Sequence, residues 1–351
     1  MVARESRSAP ASSTAFAILK ELVIGSKNVK KPRLVIISPA LAKANNGNWQ
    51  TARRWAQFLQ PHYRVDCCTE WDADAAAAPD LMIALHARRS APSIAAFAAR
   101  FPQRGLIVVL TGTDLYRDIR TDVYAQRSLQ LATRLVVLQS AGYGELPLPL
   151  RQKTQVIHQS APLLKPHERL PAARIYPVIM IGHLRAEKQP ATFMQAAALV
   201  QTASVRMLHV GAALEPGLGA LARQTETGTP RYLWLGALSH AQTRQRLKRS
   251  ALMVIASEME GGANVIIEAV TSGVPVLASD IAGNRGMLGE TYSGYFALGD
   301  SAALAHLIDR AATDLAFYAT LLAQCKQRAP LFAPALEKAA VVELADNCLH
   351  I

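Results

Sequence analysis

The stretch MEGGANVIIEAVTSGVPVLASD, Met259 to Asp280, sets two carboxylates, Glu260 and Glu268, on either side of a Gly261-Gly262 pair. An apolar run, Leu252–Ala256, precedes them, and the pattern predicts a helix from Ala263 or Asn264 onward. Glu268 falls about one turn inside that helix. A glycine turn lets backbone approach a phosphate closely, and the N–H groups at a helix start, here those of Ala263, Asn264 and Val265, suit an anion. A carboxylate on an otherwise apolar helix face is costly unless it meets hydrogen-bond donors. A vicinal diol is such a donor pair, two O–H groups to two carboxylate oxygens. Ribose carries one diol and a hexose another. Two acids, each on a diol, with glycines leaving room for a diphosphate between them, would fit a sugar nucleotide. The competing reading is a solvated loop charge and a helix-face salt bridge. Spacing and strand context favour the ligand.

Cations that could answer such an anion follow another apolar run. Val178–Ile181 leads into GHLRAEK, Gly182 to Lys188, which offers Gly182, His183, Arg185 and Lys188. Lys188 is read as a functional cation rather than an ordinary surface lysine. Arg185 is either a second cation for the ligand or a surface charge. In the first half, Arg88 and Arg89 follow Leu81–Leu85 directly. Planar guanidinium groups grip phosphate-type oxygens bidentately. Adjacent side chains point apart, so one of the two reaches a ligand and the other pairs elsewhere; the sequence does not choose. His86 has two equal readings, a general base near neutral pH or a packed histidine that holds a loop. Lys43, Asn45, Asn46 and Gly47 lie between Leu34–Ile37 and a helical pattern that starts at Trp49, a place for an anion, or simply a turn. Thr111, Thr113 and Asp114 follow Leu106–Leu110. Asp114 could orient a cation or take a proton, and Thr113 with Asp114 could equally cap the next helix. Asn284 and Arg285 divide between diphosphate contact and a turn. His209, Trp49 and Trp55 read as packing residues.

Each of these candidates comes just after an apolar run, and that shared place says what must position them. The expected strands are Leu34–Ile37, Leu81–Leu85, Leu106–Leu110, Arg134–Leu138 and Thr154–His158. A second series runs Val178–Ile181, Arg206–Val210, Tyr232–Leu235, Leu252–Ala256 and Pro275–Ala278. Helical patterns fall between them, at Trp49–Leu59, Ala91–Arg100, Thr192–Gln201 and Ala241–Arg249. Wholly apolar strands spaced by helices imply parallel sheets covered on both faces. In such sheets ligands bind beyond the carboxyl ends of the strands. The fold class expected is therefore α/β, two doubly wound Rossmann-like domains facing a central cleft. The domain reading is an N-terminal extension at 1–31, a first domain at 32–170, a second at 171–333 and a C-terminal helix at 334–351. The proline-rich and charged stretch Gln159 to Pro177 serves as the linker.

The motif E-G-G-x-x-x-x-x-E-A followed by G-V-P-V-L-A-S resembles the signature of retaining glycosyltransferases of family 4, which have the GT-B fold. The resemblance spans nearly all of Arg33 to Ala329. It implies that Glu268 holds nucleotide ribose hydroxyls, that Glu260 holds hydroxyls of the donor sugar, and that Lys188 binds phosphate. The family's usual arginine is replaced by His183, with Arg185 two positions later. The first-half segments SPALAKANNGNWQTARRWAQFL, LHARRS and LTGTDLYRDI resemble the selenosugar synthases of selenoneine biosynthesis instead of ordinary acceptor domains. That resemblance implies a transfer from UDP-N-acetylglucosamine or UDP-glucose to selenium of selenophosphate. Selenophosphate is a small, multiply charged anion, and Asn45, Asn46, Gly47, Arg88, Arg89, Thr111 and Thr113 would bind it. The catalytic candidates are Glu260, Lys188, Arg185, His86 and Asp114.

The bulk composition narrows the alternatives. Among 351 residues half are apolar and 18% charged, which suits two globular domains and excludes a disordered chain. The net charge of +12 invites an anionic partner, but the basic residues are scattered and form no nucleic-acid module. The four cysteines show no CxxC pair or zinc spacing and fit a reducing cytoplasm. No DxD-like motif stands in the strand-end loops, so neither metal nor cofactor is expected. No apolar stretch suffices to span a bilayer. The partners expected are the UDP-sugar, selenophosphate and pathway enzymes that supply the one or use the product. An ordinary family 4 transferase with a sugar or lipid acceptor is the alternative enzyme. A non-catalytic nucleotide-sugar or nucleic-acid binding protein is the alternative of another class.

Overall fold

The structure, a computed structural model, describes residues 30–40, 47–74, 78–167 and 175–349. The apolar runs form two six-stranded sheets in which every pairing is parallel. The first contains β1 (Arg33–Ile37), β2 (Arg64–Cys68), β3 (Leu81–Leu85), β4 (Gly105–Leu110), β5 (Arg134–Val137) and β6 (Thr154–Val156), in the order β2-β1-β3-β4-β5-β6. The second contains β7 (Tyr176–Ile181), β8 (Val205–Val210), β9 (Tyr232–Trp234), β10 (Leu252–Ile255), β11 (Val276–Ser279) and β12 (Tyr295–Phe296), in the order β12-β11-β10-β7-β8-β9. Each order reverses once, between β1 and β3 and between β7 and β10. Those are the points where an open parallel sheet leaves a crevice beyond its strand ends.

Why the centre of each sheet takes these strands is plain from burial. Every residue of β3, β4 and β10 is buried, because helices cover both faces and only apolar side chains can fill that space. Two strands escape the apolar-run rule, and both lie at sheet edges. β2, RVDCC, is half-exposed and carries Asp66, which pairs with Arg33 at 3.0 Å. β12 is only two residues long. The remaining strand and helix limits move by one or two residues, as element ends do. All four cysteines are free thiols. Most of the expected N-terminal extension, and Lys43, Asn45 and Asn46, lie outside the described residues.

The C-terminal helix Pro334–Leu349 returns to the first sheet. Val341, Leu344, Ala345 and Cys348 share one core with Leu34, Ile36 and Trp55. Its buried carboxylate, Glu337, accepts from Arg54 Nε at 2.7 Å, Trp55 Nε1 at 2.8 Å and Ser160 Oγ at 2.5 Å. A buried charge so satisfied acts as a latch, and removing it strands a partly buried guanidinium and two donors. Glu337→Ala is expected to cost about 3–5 kcal/mol, read as an earlier denaturation midpoint. A midpoint equal to that of the parent would mean the latch contributes nothing.

Candidate active site

The loop after β10 holds the opening motif. Ser257 is buried at its start, and its carbonyl accepts from Ser279 Oγ at 2.6 Å, which ties this loop to the end of β11. Asn284 Nδ2 donates to the Ser279 carbonyl at 2.9 Å and to its hydroxyl at 3.1 Å. Asn284 is wholly buried, so it braces the loop. Arg285 turns outward to Asp280 at 2.6 Å and to Glu290 at 3.1 Å. The helix Asn264–Val270 follows, and no side chain caps its first turn. Within it Ile266 N already donates to the Ala263 carbonyl at 2.9 Å, so the N–H groups before Ile266 are the ones that suit another acceptor.

The loop after β7 comes to the same place because β7 and β10 are neighbours. Gly182 passes beneath Gly211, whose φ of +155° and overlap of any added Cβ with the Gly182 carbonyl require glycine there. His183 Nδ1 accepts from Ala212 N at 3.1 Å. Burial lowers the His183 pKa, and the charges of Arg185 and Lys188 push it the same way, so the ring is neutral at neutral pH. The cations of this loop are therefore Arg185 and Lys188. Arg185 Nε stands 4.0 Å from Glu187 and makes no hydrogen bond. Lys188 Nζ donates to Glu260 Oε1. The two sequence candidates thus meet at the β7/β10 crevice, and each neutralises the other. Glu268 lies deeper along the helix and accepts from His240 Nε2 at 2.7 Å.

The glycine pair has a job the sequence did not reveal. A Cβ on Gly261 would stand 2.6 Å from Gly112 N and closer still to the Thr111 carbonyl. A Cβ on Gly262 would stand 2.6 Å from Leu138 Cβ and 3.2 Å from Gln159 Oε1. Gly286 packs as tightly on Gln139, and Gly47 approaches Asn264 Nδ2, with 3.6 Å from a Cβ placed there. The loops beyond β10 and β11 therefore touch the loops beyond β4, β5 and β6. Beside the expected room for a diphosphate, both glycines are required by the contact between domains.

On the first-domain side, Asp114 is fully buried. Its Oδ1 accepts from Thr111 N and Gly112 N at 2.9 Å each, and its Oδ2 accepts from Ala87 N at 2.9 Å. It neither caps a helix nor reaches solvent; it binds the β3 and β4 loops to each other. His86 is 3% exposed and has φ +73°, a conformation that costs a non-glycine residue about 1–3 kcal/mol. Its Nδ1 accepts from Arg89 N at 3.3 Å, so a neutral ring carries its proton on Nε2, 3.1 Å from Thr113 Oγ1. Burial lowers its pKa; Asp114 and Asp118 oppose that, while Arg89 and Arg88 add to it. The packed-histidine reading describes this geometry, with the ring holding the half-buried Thr113 hydroxyl. Arg88 Nε pairs with Asp118 at 3.5 Å. The Arg89 side chain is exposed and has no ion pair among the described residues. Of the two arginines, Arg88 is therefore the one with an ion pair among the described residues.

Sequence reasoning passed over three basic side chains at or near the His240–Glu268 pair. His240 opens the helix His240–Arg249 behind a Ser239/Gln242 capping box, a signal visible in the sequence. Arg244, 8% exposed, donates to Ser272 Oγ at 3.1 Å and to the Pro162 carbonyl at 3.3 Å. Arg53 approaches from the first-domain helix Gly47–Leu59 and acts on His240. Only assembly of both domains brings these three together. His209 is buried against Phe193 and Tyr232, with Nδ1 2.9 Å from the Tyr232 hydroxyl. Among the described residues no three His, Cys, Asp or Glu side chains are grouped to hold a metal, and no helix is long and apolar enough to cross a membrane.

Two parallel sheets that meet at their strand ends can be compared with solved structures. HepE of Anabaena, solved with UDP and glucose, superposes with a TM-score of 0.72 at 17% identity, over 90% of this chain and 100% of that one. Sucrose-phosphate synthase from Thermosynechococcus elongatus gives 0.70 at 17%, over 91% and 99%. The lipopolysaccharide outer core galactosyltransferase WaaB gives 0.65 at 13%, over 91% and 99%. The fold is GT-B. Residues 176–314 match the family model described as glycosyl transferases group 1, so the match lies on the second sheet and its helices and holds Lys188, Glu260 and Glu268. No protein among the curated ones matches the sequence. In GT-B terms, the Lys188–Glu260 pair and Glu268 belong to the second domain, while His86, Arg88, Arg89 and Asp114 belong to the first.

Proposed function

We propose that the protein is a glycosyltransferase that binds a UDP-sugar in its second domain and passes the sugar to selenium of selenophosphate. The observation that carries the donor half is the Lys188–Glu260 pair at the β7/β10 crevice, against the first-domain loop Thr111-Gly112. A diphosphate arriving there exchanges one carboxylate for two phosphates as the partners of Lys188. Lys188 then opposes the charge that grows on UDP as the anomeric C–O bond breaks, the kind of electrostatic stabilisation that dominates many enzymes. Arg185 and the uncapped N–H groups at Ala263, Asn264 and Val265 add to it. Glu260, released from Lys188, accepts from the sugar hydroxyls, and Glu268 accepts from the ribose diol. The sugar passes through an oxocarbenium-like state, and selenium supplies the electron pair of the new bond. A soft nucleophile needs little help from a base, which accords with a His86 ring whose nitrogens are engaged inside the first domain.

The acceptor half rests on the resemblance of the first-domain segments and on the Arg89 guanidinium at the end of β3. An exposed guanidinium with no ion pair among the described residues suits a small anion better than an uncharged hydroxyl. UDP-N-acetylglucosamine and selenophosphate are expected to yield free UDP with the purified protein. Absence of UDP release from folded protein contradicts the reading. The galactosyltransferase among the similar structures favours a second one, an ordinary sugar or lipid acceptor. UDP release with such an acceptor and none with selenophosphate would establish it.

A further inference from the structure

The acid read here as the ribose anchor is already occupied. Glu268 Oε1 holds His240 Nε2 at 2.7 Å, the length of a charge-assisted bond. The two ends differ in freedom: the Glu268 side chain is 12% exposed and fixed on the helix Asn264–Val270, whereas the His240 side chain is 50% exposed at a helix start. A half-exposed donor on a largely buried acid stands where a ligand hydroxyl would stand. We propose that His240 is a placeholder for the nucleotide on Glu268: its imidazolium occupies the carboxylate until a ribose diol takes over, and it then leaves with loss of its proton. This rests on the reading of Glu268 as the ribose-binding acid.

The charges around the ring set the direction of the proton. Three groups face His240: Glu268 on the neighbouring helix, Arg244 one turn further along its own helix, and Arg53 on the first domain. The bond to Glu268 raises the pKa of His240 above its ordinary value, while burial and the two arginines oppose that. Once the diol holds Glu268, the two cations remain near the ring and favour its neutral form. The free protein therefore binds the proton more tightly than the complex does. Binding releases the proton, so nucleotide affinity rises with pH up to the raised value and falls below it. His240 is a positioning residue in this scheme; it touches Glu268 and not the reacting atoms.

Calorimetric titration of the full chain with UDP tests this, in two buffers of different ionisation heat and across the histidine range. The nucleotide's own titration is common to parent and variant, so their difference reads His240. Between the ring's pKa in the complex and its higher pKa in the free protein, parent protein is expected to release more proton than His240→Gln, by up to about one, and its affinity to fall with falling pH there by up to about tenfold per pH unit relative to the variant. His240→Asn provides a second, shorter neutral side chain and is expected to behave likewise. Equal proton release and parallel pH profiles in parent and variants overturn the placeholder. Glu268→Gln separates the two ideas. If it loses UDP affinity while the parent matches His240→Gln in proton release, the placeholder alone fails. If it binds UDP as the parent does, or the parent binds none, the ribose reading fails and the placeholder with it.

Discussion

Lys188→Ala is expected to lower turnover of the UDP-sugar by about 10²–10³-fold, with a much smaller loss of UDP-sugar binding. The split follows from what Lys188 does in the two states. In the free protein its ammonium is neutralised by Glu260. Binding of the nucleotide exchanges one anionic partner for another, so the ground state gains little from the lysine. Charge builds on the leaving diphosphate only as the bond breaks, and there the lysine contributes most. The substitution also leaves Glu260 buried without its cation, which destabilises the loop. Thermal unfolding of the variant measures that effect separately. Lys188→Arg keeps the charge and is expected to recover part of the turnover. Equal turnover in parent and Lys188→Ala would remove Lys188 from the chemistry.

Gly261→Val is expected to lower turnover by about 10²-fold or more while each domain stays folded. The first atom added to Gly261 would overlap the Thr111 carbonyl, which is backbone and cannot swing aside. Asp114 holds that carbonyl's loop rigidly through the N–H groups of Thr111 and Gly112. The strain is relieved by separating the loops beyond β10 and β4, which moves the Lys188–Glu260 pair away from the first domain. A shift of about 1 Å between reacting groups costs this much. Small-angle scattering should show a more open particle, and UDP binding should survive because its proposed ligands lie on the second domain. A variant that stays compact and active would show that the contact can rearrange without cost to the reaction.

Both predictions use features that differ in how far the sequence reveals them. The interior strands read directly, because a strand covered on both faces must be apolar throughout, as LMIAL and GLIVVL are. β2 could not be read that way: RVDCC lies at an edge with one side in water, and polar residues suit it. The two acids, the lysine and the glycine pair were legible because a strand end followed by a helix start fixes them locally. What the glycines touch was not, since Thr111 and Gly261 are far apart in the chain and meet only when both sheets have formed. The same holds for Glu337, which looks like one more acid on a C-terminal helix until Arg54, Trp55 and Ser160 surround it. That Arg88 pairs with Asp118 could be seen only once both were in place.

The reaction itself is tested most directly by its product. Mass spectrometry of a mixture of the protein, UDP-N-acetylglucosamine and selenophosphate should show a sugar that carries the isotope pattern of selenium, in step with free UDP. Hydrolysed sugar as the sole product, or a selenium-free glycoside formed from another acceptor while selenophosphate goes unused, would contradict the account.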